Sequence, residues 1–161
     1  LIGELRRRGL RIDAVGMQSH MGMGHPDFAE YEKSIRAYAD AGVKVMITEF
    51  DMSALPSPYV GADIAQGGKD RDSALNPYPD SLPAEVAAEW QARMEQAFDI
   101  MLRNSDDISR VTFWGVSDGD SWLNGFPVRG RTDYPLPLDR RHAAKPVVAE
   151  FINKCNLTKG K

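Results

Sequence analysis

The fold is decided by one stretch of the sequence, Val43-Lys44-Val45-Met46-Ile47-Thr48-Glu49-Phe50-Asp51-Met52. Its first half is apolar and rich in β-branched residues, which predicts a buried strand. Its second half contains two carboxylates, Glu49 and Asp51, which face the same way if the strand alternates regularly. Because an unpaired buried charge is costly, two carboxylates at this place indicate either a functional site or a strand end that has reached solvent.

The composition is that of a soluble globular domain. The chain has 161 residues, of which 42% are hydrophobic and 27% charged, and this length allows a sizeable core. A net charge of −3 argues against a nucleic-acid partner, and no apolar run is long enough to cross a membrane. The single cysteine, Cys155, excludes a disulfide within the chain. The first residues, Leu1 to Arg8, lack the apolar core of a signal peptide and begin inside a helical pattern, so we expect the chain to start at a cut.

Helical and strand patterns alternate along the chain. Helices are predicted over Leu1 to Arg8, from an Asp27 cap to about Ala41, from Pro83 to about Asn104, and over Lys145 to Asn153. Strands are predicted over Ile12 to Gln18, over the stretch quoted above, and over Ile108 to Trp114. Irregular segments separate them, the longest being a predicted loop from Ser53 to Pro83. This order predicts repeated βα units around a parallel sheet.

Polar or aromatic residues follow all three predicted strands. They are Gln18 and His20 after the first strand, Glu49 and Asp51 after the second, and Trp114 and Trp122 after the third. A lone histidine or tryptophan is more often a structural residue. Chemistry in parallel α/β folds, however, collects at the carboxyl ends of the strands, so the coincidence in three units favours a functional site.

Carboxylates, an imidazole and indoles together suit carbohydrate chemistry. Tryptophan rings stack on the apolar faces of sugars, and a carboxylate held by a histidine is a good nucleophile toward an anomeric carbon. Asp51 could orient the His20 imidazole, which would in turn hold Glu49 in place.

Two other classes of function stay open on the residues alone. One is a carbohydrate-binding protein without catalysis, in which the tryptophans and Gln18 hold the polysaccharide. The other is a metal-dependent hydrolase with His20, His25, Glu49 and Asp51 as ligands, although its histidines lack the spacing of a metal site.

Several short motifs occur in one order along the chain. They are Val15-Gly16-Met17-Gln18-Ser19-His20, Ile47-Thr48-Glu49-Phe50-Asp51, Val111-Thr112-Phe113-Trp114-Gly115-Val116-Ser117-Asp118, Ser121-Trp122-Leu123, Pro135-Leu136-Pro137-Leu138-Asp139 and Lys145-Pro146. Together they resemble the family 10 glycoside hydrolases, the endo-1,4-β-xylanases. The resemblance implies an α/β fold, the C-terminal part of a (β/α)8 TIM barrel with about strands six to eight. Residues 1–155 would be that part, 156–161 a tail, and a missing N-terminal portion would complete the barrel.

The resemblance also implies roles for individual residues. Glu49 matches the catalytic nucleophile, and His20 and Asp51 match the residues that hydrogen-bond and tune it. Gln18, Trp114 and Trp122 match residues that line the sugar subsites around the cleavage point.

One part of the family's site has no match in this chain. The general acid/base is a second Glu at the end of strand four, and a retaining mechanism needs two carboxyl groups about 5–5.5 Å apart. The resemblance therefore implies endo-acting, retaining hydrolysis of β-1,4-xylosidic bonds in xylan or xylo-oligosaccharides, with the N-terminal portion as partner and source of that Glu. It implies no metal or other cofactor, and it implies secretion, for which this chain carries no signal.

Overall fold

The computed structural model of the chain describes residues 1–57 and 73–158. The helices are α1 (Ile2–Arg7), α2 (Phe28–Asp40), α3 (Ala84–Arg103) and α4 (Pro146–Thr158). The strands are β1 (Ala14–Met17), β2 (His20–Gly22), β3 (Lys44–Ser53) and β4 (Ile108–Phe113). Short 3-10 helices lie at Ser73–Leu75, Asp118–Asp120 and Trp122–Asn124.

The largest differences from the predicted segments concern the C-terminal helix with its tail and the long predicted loop. Helix α4 extends to Thr158 rather than ending at Asn153, so positions 156–158 of the predicted tail are helical. Positions 159–161 lie outside the described residues. Of the predicted loop from Ser53 to Pro83, Ser53 belongs to β3 and positions 58–72 lie outside the described residues.

Strand β3 is the centre of a parallel sheet. Strands β1 and β2 pair along one side of it and β4 along the other. The parallel βα arrangement predicted from the sequence is therefore present. Strand β2 was not predicted, because β1 and β2 form one interrupted strand whose break falls at Ser19, with a φ of 66°. The polar residues at that break hide the continuation of the apolar pattern.

Helices α2, α3 and α4 cover one face of this sheet. Asp27 caps α2 as predicted, since its side chain accepts hydrogen bonds from the backbone N–H groups of Ala29 and Glu30. Apolar residues of the helices and the central strand share one core cluster, which includes Ile35, Val45, Ile47, Phe50, Met52, Met94, Phe98 and Val147. In the described part of the chain, no helix combines the length and apolarity needed to span a membrane.

Strand β3 contains one extra residue near its C-terminal end. Met17 lies opposite Ile47, and His20 lies opposite Asp51, so three steps along β1 and β2 match four steps along β3. The pairing with β4 shifts between Ile47 and Phe50 as well. An extra residue in one strand is a β-bulge, which re-aims the side chains that follow it.

The bulge changes which residues of β3 face the helices. Val45 and Ile47 are fully buried in the core cluster before it, and Phe50 and Met52 are fully buried after it. Regular alternation would have placed Glu49 on the same face as Ile47, in the core. The extra residue instead keeps the carboxylates of β3 off the helix-facing side while the strand stays in the sheet.

The sheet has two open sides among the described residues. Strands β1 and β4 each pair with β3 alone. Several apolar side chains on β4, in the segment after it and on α4 are exposed, namely Val111, Val116, Ile152 and Leu157. The outer edges of β1 and β4 therefore present backbone N–H and C=O groups that could pair with a further strand.

Candidate active site

The His20 imidazole links the two carboxylates of β3. His20 opens β2 and is the register partner of Asp51. Its Nδ1 lies 2.9 Å from Oδ1 of Asp51, and its Nε2 lies 3.1 Å from Oε2 of Glu49. Glu49 and Asp51 therefore lie on one side of the strand, as the sequence predicted. Both ring nitrogens of His20 are occupied by a carboxylate.

Burial and charge act in opposite directions on His20. Burial alone would lower the pKa of the imidazole, but the hydrogen bonds and negative charges of Asp51 and then Glu49 outweigh it and raise the pKa above 6.5. The protonated ring donates one hydrogen bond to each carboxylate. Asp51 is only 1% exposed, whereas Glu49 remains partly open to solvent. His20 thus joins a solvent-accessible carboxylate, Glu49, to a buried one, Asp51.

Trp122 completes this cluster from the segment after β4. Its indole N–H donates a hydrogen bond of 2.8 Å to Oδ2 of Asp51. The indole ring packs against the His20 ring with centroids 5.1 Å apart and stacks on Phe126 at 5.5 Å. Glu49, His20, Asp51 and Trp122 are therefore joined in one hydrogen-bonded chain.

Gln18 and Trp114 follow the strands on either side of β3, next to this hydrogen-bonded cluster. The backbone N–H of Glu49 donates to the carbonyl of Gln18, and the backbone N–H of Trp114 donates to the carbonyl of Phe50, each at 3.0 Å. The side chain of Gln18 is exposed, and Trp114 is 45% exposed. The structure thus places five of the six predicted site residues toward the carboxyl ends of the parallel strands, and the sixth, Trp122, in a 3-10 helix of the segment after β4.

The fourth ligand of the metal-site interpretation, His25, does not join a ligand set. It lines a cavity of about 100 Å³ together with His20 and Asp51, and burial followed by the charge of Arg93 lowers its pKa. Within residues 1–57 and 73–158, no group of three or more His, Cys, Asp or Glu side chains is arranged to hold a metal ion.

A buried ion pair supports the segment that carries Trp122. Asp118 is 1% exposed and accepts hydrogen bonds from the Lys145 ammonium and the backbone N–H of Leu136. Burial raises the pKa of Asp118 even though Lys145 opposes it, and burial lowers the pKa of Lys145. The Asn124 side chain donates to the Asp118 carbonyl at 2.8 Å, so the 3-10 helix of Trp122 is tied to this pair.

Lys145 also connects that segment to the core. Its ammonium lies 4.1 Å above the Trp90 ring, and the Trp90 indole N–H donates to the carbonyl of Met52, next to Asp51, at 2.7 Å. This pair was not predicted from the sequence. Asp118 and Lys145 lie in two of the quoted motifs, but they are distant along the chain and no local spacing indicates that they pair.

Comparison with known proteins identifies the family. The sequence profile described as Glycosyl hydrolase family 10 matches residues 1–154. The chain belongs to glycosyl hydrolase family 10. The resemblance inferred from the motifs is therefore confirmed.

Xylanases related to this chain show how much of their length it spans. Endo-1,4-beta-xylanase A of Xylanibacter ruminicola is 47% identical over 154 residues, covering 94% of this chain and 42% of that protein. Endo-1,4-beta-xylanase of Geobacillus stearothermophilus is 34% identical over 154 residues, covering 95% and 42%. The chain thus spans less than half the length of these relatives.

Solved structures of family 10 agree. A GH10 endoxylanase retrieved from a sugarcane soil metagenome superposes with a TM-score of 0.88 at 38% identity, covering 94% of this chain and 44% of that one. The Thermobacillus composti GH10 xylanase gives a TM-score of 0.77 at 30% identity, covering 94% and 45%. The predicted fold class is confirmed, since the chain is part of a (β/α)8 barrel.

The buried pair of Asp118 and Lys145 makes a testable contribution to stability. Lys145→Met should lower the free energy of unfolding by about 3–5 kcal/mol, because it leaves a buried carboxylate without its partner. Lys154→Met is the matched control, since Lys154 pairs with Asp99 on the partly exposed surface and should cost at most about 1 kcal/mol. Urea titration measures both losses. Equal losses would contradict a structural role for the buried pair.

The raised pKa of His20 predicts a pH dependence of stability. The folded state holds this proton more tightly than the unfolded state, so the stabilisation is complete below pH 6.5 and is lost as the pH rises through the folded-state pKa. We expect the free energy of unfolding to fall with rising pH above 6.5, and His20→Asn to flatten that slope. The pKa of His25 is lowered, so protonation of His25 destabilises the folded state, and this effect lies below pH 6.5.

The control for this measurement is His142→Asn, since His142 is exposed. It should keep the wild-type slope in urea titrations repeated across the pH window. A His20→Asn variant that retains the full slope would assign the pH dependence to another group.

Proposed function

We propose that this chain carries the nucleophile side of an endo-acting, retaining xylanase. The proposal is carried by one observation, the Glu49–His20–Asp51 cluster at the carboxyl ends of parallel strands. In this mechanism the Glu49 carboxylate attacks the anomeric carbon of a β-1,4-linked xylose as the leaving sugar takes a proton from an acid. Water then hydrolyses the covalent glycosyl–enzyme bond and releases Glu49. His20 and Asp51 keep the Glu49 carboxylate in the attacking orientation.

The acid/base carboxyl group comes from the rest of the barrel. Asp51 does not fit this role, because His20 and Trp122 occupy its two oxygens and it is 1% exposed. A retaining pair also needs a second carboxyl group about 5–5.5 Å from the nucleophile and open to the substrate. The N-terminal portion of the same catalytic domain, as a second chain or a separated segment, is the proposed source.

The same N-terminal portion is the proposed partner for the open sides of the sheet. Closing a barrel requires strands beside both β1 and β4, and the exposed apolar residues Val111, Val116, Ile152 and Leu157 lie on β4, in the segment after it and on α4. The partner would bury them together with the strand edges.

The substrate is xylan or a xylo-oligosaccharide. The exposed Trp114 ring offers a stacking surface. Gln18 lies between β1 and β2, and Trp122 lies in a 3-10 helix of the segment after β4. We assign these three side chains to the sugar subsites around the cleavage point. No cofactor enters the mechanism. A polymeric substrate of this kind suits an enzyme that acts outside the cell, a location supported by family resemblance alone.

A carbohydrate-binding protein without catalysis is the second candidate. Its supporting observation is that Gln18 and Trp114 present exposed polar and aromatic surface, which would bind a polysaccharide without a second carboxyl group. Glu49 would then only accept hydrogen bonds from sugar hydroxyls. Release of the phenol from an aryl xylobioside by the assembled barrel separates the two candidates, since only the enzyme releases it.

Assembly with the N-terminal portion should create activity. We expect this chain, co-expressed with the remaining portion of a family 10 barrel, to release reducing sugars from xylan. Each portion alone should release none, because the two carboxyl groups are then apart. Size-exclusion chromatography would establish that the complex has formed. A demonstrably assembled complex that does not cleave xylan would contradict the proposal.

Glu49 should be essential in the complete barrel. Glu49→Ala is expected to lower kcat on an aryl xylobioside by about 10⁴-fold or more, the scale seen when a hydrolase loses its covalent nucleophile. Added azide should restore turnover and give a glycosyl azide of inverted configuration, because it enters the space of the missing carboxylate. Glu85→Ala, an exposed carboxylate on α3, is the control with wild-type turnover. Wild-type-like turnover by Glu49→Ala would reject Glu49 as nucleophile.

A further inference from the structure

The hydrogen bonding of Asp51 is completed by Trp122. One carboxylate oxygen, Oδ1, faces the His20 ring nitrogen at 2.9 Å, and the other, Oδ2, accepts the Trp122 indole N–H at 2.8 Å. Asp51 is 1% exposed, so solvent does not reach it readily. A buried carboxylate that loses one of its donors is destabilised by the cost of an unsatisfied acceptor. The orientation of Asp51 therefore depends on the indole N–H.

The contacts of Trp122 differ from those of a simple sugar platform. The only donor of its side chain, the indole N–H, is used inside the protein, by Asp51. Its ring contacts the His20 ring and stacks on Phe126 with an interplanar angle of 22°. Trp114, by contrast, is 45% exposed. The two tryptophans thus have different positions in the same site.

Hydrogen bonds fix the position of the segment that carries Trp122. The Ser121 hydroxyl oxygen accepts the backbone N–H of Leu123 at the start of the 3-10 helix, and the Asn124 amide donates to the carbonyl of Asp118. Asp118 is itself held by Lys145. An indole on a fixed segment can set the position of another side chain, because its own rotamer is locked by packing and hydrogen bonds.

We propose that Trp122 is a positioning residue for the nucleophile, acting through Asp51 and His20. The indole N–H fixes the Asp51 carboxylate, Asp51 fixes the plane of the His20 imidazole, and His20 holds Glu49 in the attacking orientation. This inference rests on the proposed function of Glu49. Any contact of the Trp122 ring with a sugar is additional to this role.

A double-mutant cycle in the complete barrel tests the proposal. Trp122→Phe keeps an aromatic ring but removes the N–H, and should lower kcat on an aryl xylobioside about 10- to 100-fold, the usual cost of losing a group that orients a functional side chain. Any change in KM should be smaller than the change in kcat. Asp51→Asn should lower kcat as well, and the double variant should be no slower than Asp51→Asn alone, since both changes break the same chain of contacts.

Trp114→Phe supplies the matched control. It makes the same chemical change at a tryptophan that is exposed at the strand end, so it should act mainly on KM, and its effect should multiply with that of Asp51→Asn. If the effects of Trp122→Phe also multiply with those of Asp51→Asn and appear in KM, Trp122 is a sugar contact only and the proposal is overturned.

A second measurement is independent of activity and leaves Trp122 intact. In the assembled domain, the indole ¹H–¹⁵N resonance of Trp122 should move upfield in Asp51→Asn, because the proton no longer faces a charged acceptor. The resonances of Trp90 and Trp114 should not move. An unmoved Trp122 resonance overturns the proposal whatever the kinetics show. If the resonance moves but no variant or wild type cleaves the xylobioside, the contact stands and the proposed function of Glu49 fails.

Discussion

The extra residue in β3 is the constraint on which the site depends. A strand that passes between helices and a reactive surface must bury apolar side chains on one side and present polar ones on the other. Val45, Ile47, Phe50 and Met52 are all fully buried, although the first two and the last two stand at positions of opposite parity. The bulge reconciles these demands, since it lets Glu49 leave the core face without ending the strand.

The site consists of one solvent-accessible carboxylate, that of Glu49, and a series of side chains that hold it in position. Glu49 is held by His20, His20 by Asp51, and Asp51 by Trp122. Each step away from Glu49 moves toward groups whose positions are fixed by the fold. Burying a charged carboxylate is costly. In Asp51, hydrogen bonds to both carboxylate oxygens offset this cost.

Much of the fold and the site could be predicted from the sequence, because the relevant signals are local. Apolar periodicity located the helices and three strands, and polar residues at the strand ends located the candidate site. The bulge could not be predicted, since it follows from how β3 packs between its neighbours rather than from its own composition. The contacts of Trp122 with Asp51 and of Lys145 with Asp118 join residues far apart in sequence, so no spacing rule indicates them. Strand β2 was missed because only its pairing with β3 shows that it is a strand.

The unpaired sides of the sheet have a consequence for handling this chain in solution. The backbone groups on the outer edges of β1 and β4 do not distinguish between the rest of a barrel and a second copy of the same strand. Self-association depends steeply on concentration, whereas pairing with the proposed N-terminal portion depends on the supply of that portion. Dilute refolding with the partner in excess should therefore favour closed barrels, and concentrating the chain by itself should favour precipitation.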